Sequence, residues 1–190
     1  VKTLKKSSAR ALLKELYHLA LVQGHPSISQ LVDVVCTSTS PDGVGIVMAG
    51  YHGHLGGERL ELFPPTAWDV QCALRDMLGA LAYIHGRGIM HADIKPDNIL
   101  IGAPPPHWRN LRRCRVVLAD FGSVMTLDVN YRPHVKKSAD LGWDVGAPPW
   151  RAPEVFAGAA FGAPADVWAM GACILFMASP PHPDRFERGS

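Results

Sequence analysis

Eight residues bracketed by apolar runs narrow what this chain can be: His91-Ala92-Asp93-Ile94-Lys95-Pro96-Asp97-Asn98. Three of the side chains fit one task. The Asp93 carboxylate can accept a hydroxyl proton, the Lys95 ammonium can neutralise a phosphate, and the Asn98 amide can hold a metal ion. Downstream, Asp120-Phe121-Gly122 follows a hydrophobic run, so Asp120 is expected at a strand end. A second oxygen ligand there suits Mg²⁺, which takes one or two carboxylates plus waters and substrate phosphates. Further on stand Ala152-Pro153-Glu154 and, twelve residues after Glu154, Asp166-Val167-Trp168.

The rest of the chain supplies a scaffold of mixed type. Helical spacing runs from about 8 to 22, with Leu12, Leu16, Leu19 and Ala20 on one face and Lys14 and His18 off it. Gly24-His25-Pro26 stops that helix. Strands are expected in the second half of 28–36 and over Val44 to Met48, separated by the polar turn 37–43. The glycine-rich stretch 49–57 reads as an irregular link between two halves. Thr66 with Asp69 forms a capping-box pattern ahead of a stripe of Val70, Leu74, Met77, Leu78, Leu81 and Ile84. Gly86 and Gly88 end it. Ile99 to Ile101 and Val116 to Ala119 are short enough to pair as a hairpin. Between them lies a Pro-rich and basic stretch with Arg109, Arg112, Arg113 and Arg115, a solvated face or a surface for an acidic partner. Little periodicity marks 121–149, a length that is usually functional or disordered. An apolar helix over 165–178 closes the pattern.

Composition excludes several classes. Apolar residues at 47% argue against disorder. A net charge of +2 argues against a nucleic-acid binder. Cys36, Cys72, Cys114 and Cys173 form no CxxC pair, so neither a zinc knuckle nor a disulfide scaffold is indicated. A reducing, intracellular setting follows, cytoplasmic or nuclear. The run from Val167 to Ala178 is too short to span a bilayer, and no apolar segment opens the chain. His18, His52, His54 and His107 lack metal-ligand spacing and are expected on the surface or in loops.

With these motifs in hand, the chain resembles the protein kinase family over residues 1 to 178. His91-Ala92-Asp93 with Asn98, then Asp120-Phe121-Gly122, then Ala152-Pro153-Glu154 follow the family's order. The resemblance implies an α+β, two-lobed fold. A partial antiparallel-sheet small lobe and the start of a hinge take residues 1–50, and a mainly helical large lobe takes 51–190. Together they form a single domain, expected to be incomplete at both ends. It implies that Asp93 is the catalytic base, that Lys95 steadies the transferring phosphoryl group, and that Asn98 and Asp120 hold Mg²⁺ beneath ATP. His91 would pack beneath Phe121, and Asp166 would fix the catalytic-loop backbone. Lys2 and Glu15 resemble the family's lysine–glutamate ion pair. Ile46-Val47-Met48 leading into Ala49-Gly50-Tyr51-His52 resembles the hinge, so Ala49 and Tyr51 would meet adenine through backbone groups, with Met48 as gatekeeper.

Lys95 two residues after Asp93 resembles serine/threonine rather than tyrosine kinases. The blocks His91–Asn98 and Trp150–Glu154 are similar to the cyclin-dependent, splicing-factor and dual-specificity group. The implied activity is ATP- and Mg²⁺-dependent phosphoryl transfer to Ser or Thr of a protein substrate, with a regulatory protein partner possible. The rival reading is a pseudokinase or truncated scaffold that binds partners without turnover. Two departures bear on regulation and specificity: Ala92 stands where the family usually has Arg, and Ala147 where serine/threonine kinases usually have Thr. From Asn98 to Asp120 the chain runs 22 residues, longer than is typical.

Overall fold

The computed structural model describes residues 9–36, 44–57, 65–102, 115–127 and 145–179. Helix α1 (Ala9–Leu21) packs against the strand Val44–Met48 and against a 3₁₀ turn at Phe121–Ser123. Because it meets two partners, its covered arc is wide and centred differently from the expectation. Leu12, Leu19, Val22 and His18 are buried and Leu16 is half-buried, whereas Ala20 is exposed. His18, expected off the face, is only 7% exposed. Glu15 falls on the same arc, three residues after Leu12 and four before Leu19, and is half-buried.

The two expected strands, β1 (Leu31–Cys36) and β2 (Val44–Met48), pair antiparallel, with Val34 opposite Ile46 and Leu31 opposite Met48. The glycine-rich link is less irregular than its sequence suggests. Gly53–His54 forms a short strand, β3, that pairs with β5 (Ile99–Ile101), and β5 pairs in turn with β6 (Val116–Leu118). The hairpin of β5 and β6 is the one expected from the two apolar runs. The long helix α2 (Ala67–His85) opens on a complete capping box: the Asp69 N–H donates to Thr66 Oγ1 at 3.3 Å, and the Thr66 N–H donates to Asp69 Oδ2 at 2.8 Å. Its buried face is Ala73, Met77, Ala80, Leu81 and Ile84; Leu78 points outward, 44% exposed. After α2 the chain reverses through Gly88, whose φ of +68° is one that an L side chain rarely adopts. Strand β4 (Ile89–Met90) then pairs with β7 (Met125–Thr126), an element that periodicity did not reveal because it is two residues long.

Helices α3 (Pro153–Phe156) and α4 (Ala163–Ala178) complete the described fold, and α4 packs against α2. The fold is thus α+β and two-part: a hairpin with α1, and a part dominated by α2 and α4. The two parts are stitched by the turn after α1. Tyr83 of α2 donates its hydroxyl to the Gln23 carbonyl at 2.7 Å, Ser29 N–H donates to Leu118 O at 2.9 Å, and Leu118 N–H donates to Ser27 O at 2.9 Å. One cluster of buried side chains from α1, α2, α4 and the strands runs through the join. Among the described residues no helix is long and apolar enough to cross a membrane.

Two histidines at this join are held below their ordinary pKa. Burial lowers His18 most, the Lys14 charge adds to it, and the Phe121 backbone only partly opposes. Burial also leads for His25, with Arg115 and Arg87 adding to it against Asp76. A base whose folded pKa is depressed binds its proton more readily in the unfolded chain. Stability from these groups is therefore complete above about pH 6.5 and is lost as pH falls through that value toward the folded pKa. The urea midpoint is expected to fall between pH 7.5 and 6.0, and to fall less in His18→Gln. An unchanged or rising midpoint contradicts this.

Candidate active site

The site is built outward from one buried carboxylate. Asp166, in the first turn of α4, is 2% exposed. It accepts the His91 N–H at 2.7 Å through Oδ2 and the Ala92 N–H at 2.9 Å through Oδ1, and His85 Nε2 lies 2.9 Å from Oδ2. Ala92 carries a φ of +66°. A non-glycine residue there costs about 1–2 kcal/mol, so it needs holding in place. Two backbone donors fixed on one carboxylate do that. The bend at Ala92 turns the chain so that His91 faces inward and Asp93 emerges half-buried.

His91 links this bend to the next strand end. Its Nε2 is 2.9 Å from the Ala119 carbonyl, which can only accept, so Nε2 carries the ring proton. Its Nδ1 then accepts the Asp93 N–H at 3.3 Å. The ring meets Phe121 edge-on with centroids 5.1 Å apart, the pair of residues that the resemblance puts in contact.

Around Asp93 the expected residues converge. Lys95 Nζ donates to Asp93 Oδ2 at 2.8 Å, and Asn98 Nδ2 donates to the same oxygen at 3.2 Å and to the Asp93 carbonyl at 2.8 Å. Both side-chain bonds reach Oδ2, leaving Oδ1 without a bond from either. Asn98 sits in a 3₁₀ turn begun by Pro96, and its carbonyl accepts the Ala119 N–H at 2.9 Å. Ala119 is therefore bonded to both His91 and Asn98, and Asp120 follows it directly. Asp120 is exposed with a φ of +64°, and its Oδ1 accepts the Gly122 N–H at 3.3 Å. Burial alone disfavours the Lys95 charge. The Asp93 hydrogen bond and carboxylate, with Asp120 and Asp97 beyond, outweigh it and raise the ammonium above its usual pKa. Lys95 thus stays cationic at neutral pH.

The other expected positions are more dispersed. Ala49 and Tyr51 lie between β2 and β3. The Ala49 N–H donates to the Gln30 carbonyl at 3.0 Å, and the Tyr51 hydroxyl accepts the Gln30 N–H at 3.0 Å. The Tyr51 N–H has no backbone partner among the described residues. Glu15, on α1, is half-buried. Lys2 lies outside the described residues, as do Arg109, Arg112, Arg113 and His107. Ala147 precedes the 3₁₀ turn Pro148–Trp150, and Arg151 donates twice to the Gly146 carbonyl, at 3.2 and 2.8 Å. Sequence reasoning missed His85. Its signal was its place one residue beyond Ile84, at the inward end of the α2 stripe, where a polar ring needs a buried partner.

The order of the motifs fits one family, and the protein kinase domain model matches residues 1–187. The chain belongs to the protein kinase domain family. It is 29% identical over its whole length to calcium/calmodulin-dependent protein kinase type IV of Mus musculus and of Homo sapiens, covering 37% of each. It is 30% identical over 166 residues, or 86% of the chain, to the type 1B kinase of Rattus norvegicus, covering 43% of it. The chain thus spans well under half the length of these relatives.

If Asp166 holds the bend, Asp166→Ala leaves two buried N–H groups unpaired and lowers folding free energy by about 3 kcal/mol or more. Asp166→Asn, which retains one acceptor oxygen, falls between it and the wild type. Urea unfolding of the three chains measures this, and a loss under about 0.5 kcal/mol for Asp166→Ala contradicts it.

Proposed function

We propose that this kinase domain transfers the γ-phosphoryl group of ATP, with Mg²⁺, to Ser or Thr of a protein substrate. The observation that carries the reading is the convergence of Lys95 and Asn98 on one oxygen of Asp93, with Asp120 next to the residue that both His91 and Asn98 bind. Residues 1–50 are read as part of a small lobe and the start of a hinge, and 51–190 as part of a large lobe.

The chain's own groups divide the work. Asp93, with Oδ2 held by Lys95 and Asn98, keeps Oδ1 for the proton of an incoming hydroxyl. Lys95 brings positive charge next to that carboxylate, where a transferring phosphoryl group would gather negative charge. Asn98 spends its Nδ2 on Asp93, so its side-chain oxygen remains as a ligand. Asp120 offers the second ligand on an exposed turn. One amide oxygen and one carboxylate fit Mg²⁺, a hard cation that keeps waters and binds substrate phosphates for its other positions. Bound there, Mg²⁺ would neutralise phosphate charge. Ala49 and Tyr51 would supply hinge backbone groups for adenine, and the lysine–glutamate pair implied by the resemblance, Lys2 with Glu15, would steady the phosphates. A regulatory protein partner belongs to this reading, since the type IV and type 1B relatives are by name calcium/calmodulin-dependent. The setting is intracellular, cytoplasmic or nuclear.

Asp120→Asn is expected to lower Mg²⁺-dependent turnover about 10²-fold or more while the melting temperature stays within a few degrees of the wild type. A variant with near-normal kcat and an unchanged fold would remove Asp120 from the metal site.

A further inference from the structure

Three elements meet around β6, and each brings a cationic or aromatic side chain there. Helix α2 packs on β6. The turn after α1 lies on it too: the Leu118 N–H donates to Ser27 O and the Ser29 N–H to Leu118 O, each at 2.9 Å, and Ile28 bridges Leu118 in the parallel sense. That turn carries His25, whose ring lies against Tyr83 of α2 with centroids 5.0 Å apart. Two residues beyond α2, the Arg87 guanidinium sits 3.5 Å from the centre of the Tyr83 ring, and Nη1 donates to the Tyr83 carbonyl at 3.2 Å. Arg115 stands one residue before β6, its carbonyl held by the Gly102 N–H at 2.7 Å. Both arginines are exposed.

Charge at this edge is left without a counter-charge. Among the described residues neither Arg87 nor Arg115 forms an ion pair. The Asp76 carboxylate does not offset them, because it is 9% exposed and its Oδ1 already takes Arg75 at 3.0 and 3.3 Å. Arg87 is also ordered in advance. The Tyr83 ring and one backbone bond fix the plane of its guanidinium, and its other donors are unspent among the described residues. A guanidinium held flat presents a fork that matches a carboxylate, and it loses little freedom on binding one. We propose that Arg87 and Arg115 form a docking site for an acidic segment of a protein substrate, with the Tyr83 ring supporting Arg87. A net charge of +2 is low for a general polyanion surface, which favours a short acidic peptide over a nucleic acid. Asp120 follows Arg115 by five residues, about 15 Å along an extended chain. An acidic block and an acceptor hydroxyl about five residues or more apart can therefore be held at the two ends of β6 together. The inference rests on the reading of the chain as a kinase that acts on proteins.

Fluorescence polarisation of a labelled peptide of alternating Asp and Glu, without nucleotide, reads the site directly on the full chain. The variants are Arg87→Glu with Arg115→Glu, and Arg87→Gln with Arg115→Gln should charge reversal prevent folding; melting curves check both. Affinity is expected to fall about tenfold or more in each double variant, and to weaken with added salt in the wild type. Phosphoryl transfer reads the consequence, with a Ser peptide alone and with the same peptide joined through a Gly-Ser linker to the acidic block. The wild type should show a KM about tenfold lower for the joined peptide at equal kcat. The variants should lose that advantage while handling the short peptide as the wild type does. Unchanged affinity for the acidic peptide in the folded variants overturns the site. Binding of a single-stranded oligonucleotide that the variants abolish, with no binding of the acidic peptide, assigns the patch to nucleic acid and overturns the proposal. Peptide binding through the arginines without a KM advantage overturns the role in substrate docking. Peptide binding through the arginines with neither peptide phosphorylated leaves the acidic site standing and overturns instead the reading of the chain as an active kinase.

Discussion

The carboxylate of Asp166 holds the site together. Its two oxygens take the N–H groups of His91 and Ala92, and His85 Nε2 completes the set. A buried carboxylate needs such partners, since an unpaired charge in the interior costs several kcal/mol. The backbone bend at Ala92 needs the carboxylate in turn, because a positive φ at alanine is not self-sustaining. Each feature is unfavourable alone, and the two are stable together. Everything chemical then follows from where the bend sends the chain.

Two strained residues frame the site, Ala92 before Asp93 and Asp120 before Phe121. They are joined through Ala119, which gives its carbonyl to His91 and its N–H to Asn98. Strain of this kind persists only where surrounding contacts over-determine it, and here those contacts come from α4, from β6 and from α1. The site therefore draws on three elements far apart in sequence, and its geometry reports their packing. Arg151 adds a further fixed point by donating twice to the Gly146 carbonyl, which ties down the segment before α3.

Much of this was legible in the sequence because the signals were local. The Thr66–Asp69 capping box, the paired runs at 99–101 and 116–118, and the spacing of Asp93, Lys95 and Asn98 each lie within a few residues, where chain geometry dictates the outcome. The packing of His91 on Phe121 and the role of Asp166 were legible through resemblance rather than spacing. What escaped depends on contacts between distant elements. His18 was assigned to the solvent face because helical period alone sets the arc of α1, whereas its second partner, the turn at 121–123, lies a hundred residues away. His85 escaped because its partner stands eighty-one residues on. Strands β3 and β7, at two residues each, are too short for alternation to register.

In the proposed reaction Asp93, held by Lys95 and Asn98, takes the proton from a hydroxyl that becomes phosphorylated. The direct measurement is transfer of labelled γ-phosphate from Mg-ATP to a peptide carrying Ser and Tyr acceptors, by the wild type and by Asp93→Asn, with the phosphorylated residue identified. Label is expected on Ser for the wild type, with a rate about 10²–10⁴-fold lower for the folded variant. Equal rates for the two chains, or no transfer by the wild type while it binds Mg-ATP, would contradict it.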